Sequence, residues 1–185
     1  MALTALDPST ALIVVDLQKG IVGLPLAHAA ADVVANSRRL ADSFRGRGLP
    51  VVLVNVDGAA PGRTEQGRPN LPAGSGWAEI VPELGAQPGD ILVTKTSWGA
   101  FATTDLEQRL KALGVTQVVV TGIATSVGVE STARQAYEQG FNVTLAIDAM
   151  TDRSAEAHDH SVETVFPRLG ERGTTDEIIA LVERA

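Results

Sequence analysis

Residues 11–16 read Ala-Leu-Ile-Val-Val-Asp, a short apolar run that ends in a carboxylate. A run of this length, rich in β-branched residues, is typical of a strand that is buried on both faces of a parallel sheet. Similar runs cover residues 51–56, 91–93, 118–121 and 143–147. The sequence therefore predicts at least five buried strands.

Segments with helical periodicity separate these runs. Leu106, Leu110 and Leu113 recur at i, i+4 and i+7, and residues 33–44 and 133–137 also carry apolar residues at helical spacing. Gly48, Gly114 and Gly140 follow such segments, where a left-handed residue commonly ends a helix. Alternating strands and helices predict an α/β fold with a doubly wound parallel sheet, helices on both faces and right-handed crossovers.

The composition limits the domain count and the classes of partner. The 185 residues are expected to form a single domain, 1–185, and carry a net charge of −7. The sequence has no basic cluster to offset that charge, so neither nucleic acid nor an anionic membrane is an expected partner. The N-terminus does not resemble a signal peptide, and no apolar run approaches the ~20 residues of a membrane span. These features predict a cytoplasmic protein.

The chain contains no cysteine, which excludes disulfides and thiolate ligands. A metal site would depend on carboxylates and on His28, His158 and His160, but His158 and His160 are two residues apart in an expected helix and point to different faces. We therefore expect solvated or partner-facing histidines and no metal. The glycines from Gly122 to Gly128 do not follow GxGxxG, so no dinucleotide cofactor is expected either.

The candidate site lies at the carboxyl ends of the strands, where open parallel sheets bind their ligands. Asp16 follows the first strand, Lys95 follows the third, and residues 122–127 lead from the fourth strand towards a helix that starts near Gly128. We expect these three strand ends to converge on one crevice. The free N–H groups at a helix start would suit a carboxylate or an oxyanion.

Each of these residues also has a structural interpretation. Asp16 could simply cap a loop and pair with Lys95, and Gly128 could allow tight packing of helix against strand. Burial would raise the pKa of Asp16 whereas the ammonium of Lys95 would lower it, and the sequence leaves this balance open.

An irregular segment and three aromatic residues complete the candidate site. Residues 57–75 are rich in Gly, Pro and Arg and are longer than a usual βα loop, which indicates a segment that covers the substrate. Trp77, Trp98 and Phe101 could form an apolar wall of the crevice. Packing in the core is the alternative for each aromatic ring.

The ordered set of motifs resembles the isochorismatase-like hydrolases from about residue 9 to the C-terminus. The motifs are Val14-Val-Asp16-Leu-Gln18, Lys95-Thr-Ser-Trp-Gly-Ala-Phe101, the run from Gly122 to Arg134, and Asp148-Ala149. The resemblance implies a six-stranded parallel sheet in the order 3-2-1-4-5-6. It also implies a cis peptide at Ile123-Ala124, in a substrate-binding loop that includes Ile123, Ala124 and Thr125.

Two departures from the family's amidases are informative. Those enzymes carry an Asp, Lys and Cys triad, whose positions here correspond to Asp16, Lys95 and Gly128, so the nucleophile is missing. The Asp-x-His metal motif of nicotinamidases is replaced by residues 56–59, Val-Asp-Gly-Ala. Both differences disfavour nicotinamidase activity.

Isochorismatases proper resemble this chain in the position of Gly128, because they too can carry glycine there. They cleave a vinyl ether without a covalent intermediate. On that resemblance, Asp16 would donate the proton and Lys95 would be its charge partner. Ala124 departs from the tyrosine that isochorismatases often have, so isochorismate is one possible substrate among small metabolites.

Two further hypotheses remain open. The first is a catalytically silent binding or regulatory protein on the same scaffold. The second is direct attack by water on an amide or ester, with Asp16 as the base. The resemblance also implies a homodimer or homotetramer.

Overall fold

The computed structural model describes residues 3–67 and 76–184, which form a six-stranded parallel sheet in the order β3-β2-β1-β4-β5-β6. The strands are β1 (Thr10–Val15), β2 (Val51–Val56), β3 (Ile91–Lys95), β4 (Gln117–Ile123), β5 (Asn142–Thr151) and β6 (Glu171–Gly173). The helices are α1 (Lys19–Val22), α2 (Ala30–Gly46), α3 (Leu106–Ala112), α4 (Glu130–Glu138), α5 (Ala155–His160) and α6 (Thr175–Val182). The predicted fold class and strand order are confirmed.

Helices cover both faces of the sheet because the strands bury both sets of alternating side chains. Leu12 and Val14 of β1 pack in the apolar layer that contains helices α2 and α6. Ile13 and Val15 point to the opposite layer, which contains helices α3 and α4. All six residues of β1 are buried, as expected for a central strand between two helical layers.

Several boundaries differ from the sequence prediction. β5 extends to Thr151, beyond the apolar run, and reaches this length through a register shift against β4 between Val120 and Gly122. β6 has only three residues, too few to show an apolar pattern. The short helix α1 was not predicted. These elements depend on pairing and packing that no local sequence pattern specifies.

The predicted turn glycines have the expected conformation, with φ of 70° at Gly48, 71° at Gly114 and 84° at Gly140. Thr174 caps α6 in a reciprocal capping box with Glu177. Within residues 3–67 and 76–184, no helix combines the length and apolar character needed to cross a bilayer.

Candidate active site

The site forms where the strand order reverses, between the adjacent strands β1 and β4. Asp16 directly follows β1, and the segment that begins at Ile123 leaves β4 beside it. Lys95 is the last residue of β3, on the far side of β2. Ligand crevices of open parallel sheets form at such a reversal.

Asp16 and Lys95, which the sequence placed at strand ends of one crevice, form a buried ion pair. Lys95 Nζ donates to Asp16 Oδ2 at 2.7 Å and to the carbonyl oxygen of Ser97 at 3.1 Å. Only 5% of Asp16 and 1% of Lys95 are exposed. The two charges therefore interact in a medium that screens them much less than water does.

Burial decides the titration of Asp16. Desolvation raises the pKa of its carboxyl from 3.8 to about 6, although the charge and hydrogen bond of Lys95 act in the opposite direction. Its second oxygen, Oδ1, is buried and has no hydrogen-bond partner among the described residues. A carboxyl with this pKa and one free oxygen can hold and release a proton near neutral pH.

The predicted cis peptide is present at Ile123-Ala124. It leads into a π-helical turn, Thr125–Val129, which continues directly into α4. Ile123 and Thr125 are buried, whereas Ala124 is partly exposed. Of these three predicted substrate-binding residues, only Ala124 therefore presents a partly exposed surface.

Gly128 lies against the Asp16 carboxyl. A Cβ atom built on Gly128 would lie 3.1 Å from Asp16 Oδ2 and 3.0 Å from Val15 Cγ1. Any side chain at this position would start in contact with the acid. The structure therefore places beside Asp16 the position that the family resemblance assigns to the nucleophile.

Three hydroxyl groups near Gly128 are engaged in hydrogen bonds. Thr125 Oγ1 is 2.8 Å from His158 Nδ1. Ser126 donates both its N–H and its hydroxyl to Asp152 Oδ2, at 2.7 and 2.8 Å. Thr132 donates to the carbonyl oxygen of Gly128 at 2.7 Å. These hydrogen bonds hold the turn in place.

His158 differs from the expectation of a solvated histidine. It is 8% exposed, and its ring packs edge-on against His28 with 4.7 Å between centroids. Burial, and after it the neighbouring His28, lowers the pKa of His158. A neutral ring fits its hydrogen bond to the turn. Sequence reasoning missed this role because His158 and Thr125 are 33 residues apart.

The three aromatic residues have different positions. Phe101 is 4% exposed and packs against Phe141 in the core, in agreement with the core-packing alternative. Trp98 is 66% exposed. Trp77 lies so close to Gly20 that a Cβ there would come within 2.0 Å of the indole ring. Only Trp98 and Trp77 therefore remain candidates for an apolar wall.

The predicted covering segment, residues 57–75, is described only for residues 57–67, and residues 68–75 lie outside the described part. Its first residue is attached to the site, because the N–H of Asp57 donates to the carbonyl oxygen of Lys95 at 3.0 Å. Gly58 then packs against Thr96, with φ of 150°. The segment therefore begins next to the ion pair.

The fold and the site define a parallel α/β protein with a buried acid and ammonium beside a glycine-bearing turn. The chain belongs to the isochorismatase family, and the isochorismatase domain matches residues 10–177. A solved isochorismatase family protein from Burkholderia thailandensis is similar in fold, with a TM-score of 0.93 and 41% identity. That match covers 97% of this chain and 98% of the other.

Three differently named relatives are similar to this chain over most of their length. An uncharacterized isochorismatase family protein, YwoC of Bacillus subtilis, is 42% identical, and the match covers 94% of each chain. The phenazine biosynthesis protein PhzD of Pseudomonas fluorescens is 33% identical over 94% of this chain and 87% of its own. The ureidoacrylate amidohydrolase RutB of Stutzerimonas stutzeri is 34% identical, over 85% of this chain and 77% of its own.

Proposed function

We propose that the protein is a hydrolase that cleaves a small metabolite without forming a covalent intermediate. In this proposal Asp16 is the proton donor, Lys95 is its charge partner, and the main chain around Gly128 binds an anionic group of the substrate. The observation that carries the proposal is the buried contact of 2.7 Å between Lys95 Nζ and Asp16 Oδ2, beside a turn that bears no side chain at position 128.

The state of the carboxyl supports a role as an acid. With a pKa of about 6, roughly a tenth of Asp16 is protonated at pH 7, which is about a hundred times the protonated fraction of an ordinary aspartate. Lys95 already bonds one carboxyl oxygen, which leaves Oδ1 to carry the proton. After the proton has left, the adjacent ammonium stabilises the carboxylate.

The absence of a thiol nucleophile supports a non-covalent route. The chain has no cysteine, and the side chains of Thr125 and Thr132 are fully buried beside Gly128. A vinyl ether can be hydrolysed with acid catalysis alone. Asp16 would protonate the terminal alkene carbon, water would add to the resulting oxocarbenium carbon and lose a proton, and the hemiketal would collapse to a ketone and an alcohol.

We propose a vinyl ether with a carboxylate, such as isochorismate, as the substrate class. RutB is named an amidohydrolase, whereas PhzD is named a phenazine biosynthesis protein. Relatedness alone therefore does not decide between a vinyl ether and an amide as the substrate. The vinyl ether is favoured because its cleavage uses the groups that this site has, an acid and a charge partner. Hydrolysis of an amide by the triad route would require the missing thiol.

The experiment is hydrolysis of isochorismate in deuterium oxide, followed by NMR of the products. Protonation of the alkene carbon places one solvent deuterium in the methyl group of the pyruvate formed. The Asp16→Asn variant should lose this turnover, whereas Glu79→Gln, which alters an exposed carboxylate, should keep it.

Ureidoacrylate and N-carbamoylsarcosine, tested in parallel, separate the other hypotheses. Hydrolysis of these compounds alone would support attack by water on an amide and contradict vinyl-ether cleavage. Thermal stabilisation by isochorismate without any product would favour the silent binding protein.

A further inference from the structure

Asp16 has an unusual backbone conformation. Its φ is +55°, and it is the only non-glycine residue with a positive φ among residues 3–67 and 76–184. A side chain in this left-handed region is uncommon and costs of order 1 kcal/mol, so the surrounding structure must enforce it. The conformation turns the chain sharply after β1, at the residue whose carboxyl meets Lys95.

Gln18 supplies the contacts that hold the chain just after this turn. It is fully buried, and its side-chain amide pairs with the end of β2 in both directions. The N–H of Val56 donates to Gln18 Oε1 at 2.7 Å, and Gln18 Nε2 donates to the carbonyl oxygen of Val56 at 3.0 Å. The amide thus extends the hydrogen bonding between β1 and β2 past the point where the backbone of β1 has turned away.

The same amide links the backbone segments that carry Asp16 and Lys95. The residue after Val56 is Asp57, whose N–H donates to the carbonyl oxygen of Lys95. Gln18 Nε2 also lies 3.3 Å from the carbonyl oxygen of Trp77, to which it donates. The position of Gln18 therefore links the chain that follows Asp16 to the chain that is bonded to Lys95.

We propose that Gln18 is a positioning residue, whose amide holds the left-handed backbone of Asp16 and thereby keeps its carboxyl buried against Lys95. The inference rests on the proposed function in taking Asp16 as the reacting acid. The competing explanation is that Gln18 merely satisfies buried backbone groups and stabilises the fold without any effect on Asp16.

The test is the titration of Asp16 in a Gln18→Met variant, which keeps a similar side-chain length and removes the amide. The carboxyl carbon of Asp16 is followed by carbon-13 NMR and assigned by its loss from the Asp16→Asn variant. If Gln18 positions Asp16, the titration midpoint should move by about one pH unit or more towards that of an ordinary aspartate, because the released carboxyl becomes hydrated.

Gln117→Met is the matched control. Gln117 is also a buried glutamine whose amide bonds other groups, the N–H of Asp7 and the hydroxyl of Thr144, but it lies at the opposite end of the sheet. Its loss should destabilise the protein and leave the Asp16 midpoint unchanged. If Gln18→Met does not fold, Gln18→Asn replaces it, because that amide is one methylene too short to reach Val56.

An Asp16 midpoint in the Gln18 variant that coincides with wild type would overturn the inference. So would an equal displacement of the midpoint in Gln117→Met, because the effect would then reflect general destabilisation. The titration requires no turnover, so a protein that hydrolyses none of the candidate substrates would contradict the proposed function and leave this test intact.

Discussion

The ammonium of Lys95 reaches across the end of β2 to the carboxyl of Asp16, with 2.7 Å between Nζ and Oδ2. Lys95 ends β3 and Asp16 follows β1, and these two strands are separated by β2, and so by two strand spacings, or roughly 10 Å. A long side chain on β3 and a sharp turn at Asp16 together bridge that distance. The pair therefore depends on the order of the strands as well as on the identity of its residues.

The pH dependence of turnover should distinguish an acid from a base at Asp16. As a proton donor, Asp16 must be protonated, so kcat/KM should fall as the pH rises through its pKa of about 6. As a base for attack by water, it must be ionised, and kcat/KM should rise over the same range. A pH profile on whichever substrate is turned over makes the measurement. A profile that is flat around pH 6 would contradict both roles.

Replacement of Lys95 by Met should raise the pKa of Asp16 above about 6, because the charge and the hydrogen bond that lower it are lost. An ionised Asp16 would then be buried without a partner, which costs about 3–5 kcal/mol, whereas a protonated one costs less. The variant should therefore lose more stability, relative to wild type, at about pH 8 than at about pH 5. Urea unfolding at both pH values measures the difference.

Lys111→Met is the control for this experiment. Lys111 forms an exposed ion pair with Glu107 on α3. Its removal should change the free energy of unfolding by at most about 1 kcal/mol and similarly at both pH values. A loss of stability in Lys95→Met that did not depend on pH would show that Asp16 is not the group that responds.

Much of the fold could be predicted because it depends on local patterns. The β-branched runs that became β1, β2 and β4 were found within one or two residues of their bounds, since strands buried on both faces need continuous apolar sequence. The strand order came from the family resemblance and not from these patterns. The three-residue β6 escaped detection because it is held by pairing with β5 alone.

The candidate site, like the fold, could be predicted only in part from the sequence. Asp16, Lys95 and Gly128 could be found because strand ends meet at one edge of a parallel sheet. The pKa of Asp16 could not be predicted, because it depends on a competition between burial and an ion pair that only distances can decide. Gln18 belongs to a family motif, but nothing in the sequence indicated its hydrogen bonds to Val56. His158 carried no local signal of its contact with Thr125.

Thr125→Val should loosen the turn that bears Gly128. The change keeps the side-chain shape and leaves Nδ1 of the buried His158 without its partner, so the free energy of unfolding should fall by about 1–3 kcal/mol. Amide hydrogen exchange should quicken in residues 123–129. Thr121→Val removes a comparable buried bond to Ser37 and should cost similar stability without quickening that exchange. Equal exchange in both variants would contradict a specific role for His158.

Gly128→Ala should reduce both stability and turnover. The added methyl group would lie 3.0 Å from Val15 Cγ1 and 3.1 Å from Asp16 Oδ2, closer than normal contact, so the crowding should cost about 1–3 kcal/mol. It would also occupy space beside the acid that the proposed mechanism leaves to the substrate. Gly89→Ala adds the same methyl group where no atom lies within 4 Å and should change neither property. Thermal unfolding measures the stability, and hydrolysis assays measure the turnover. A Gly128→Ala variant with unchanged turnover would mean that the space at position 128 is not used in catalysis.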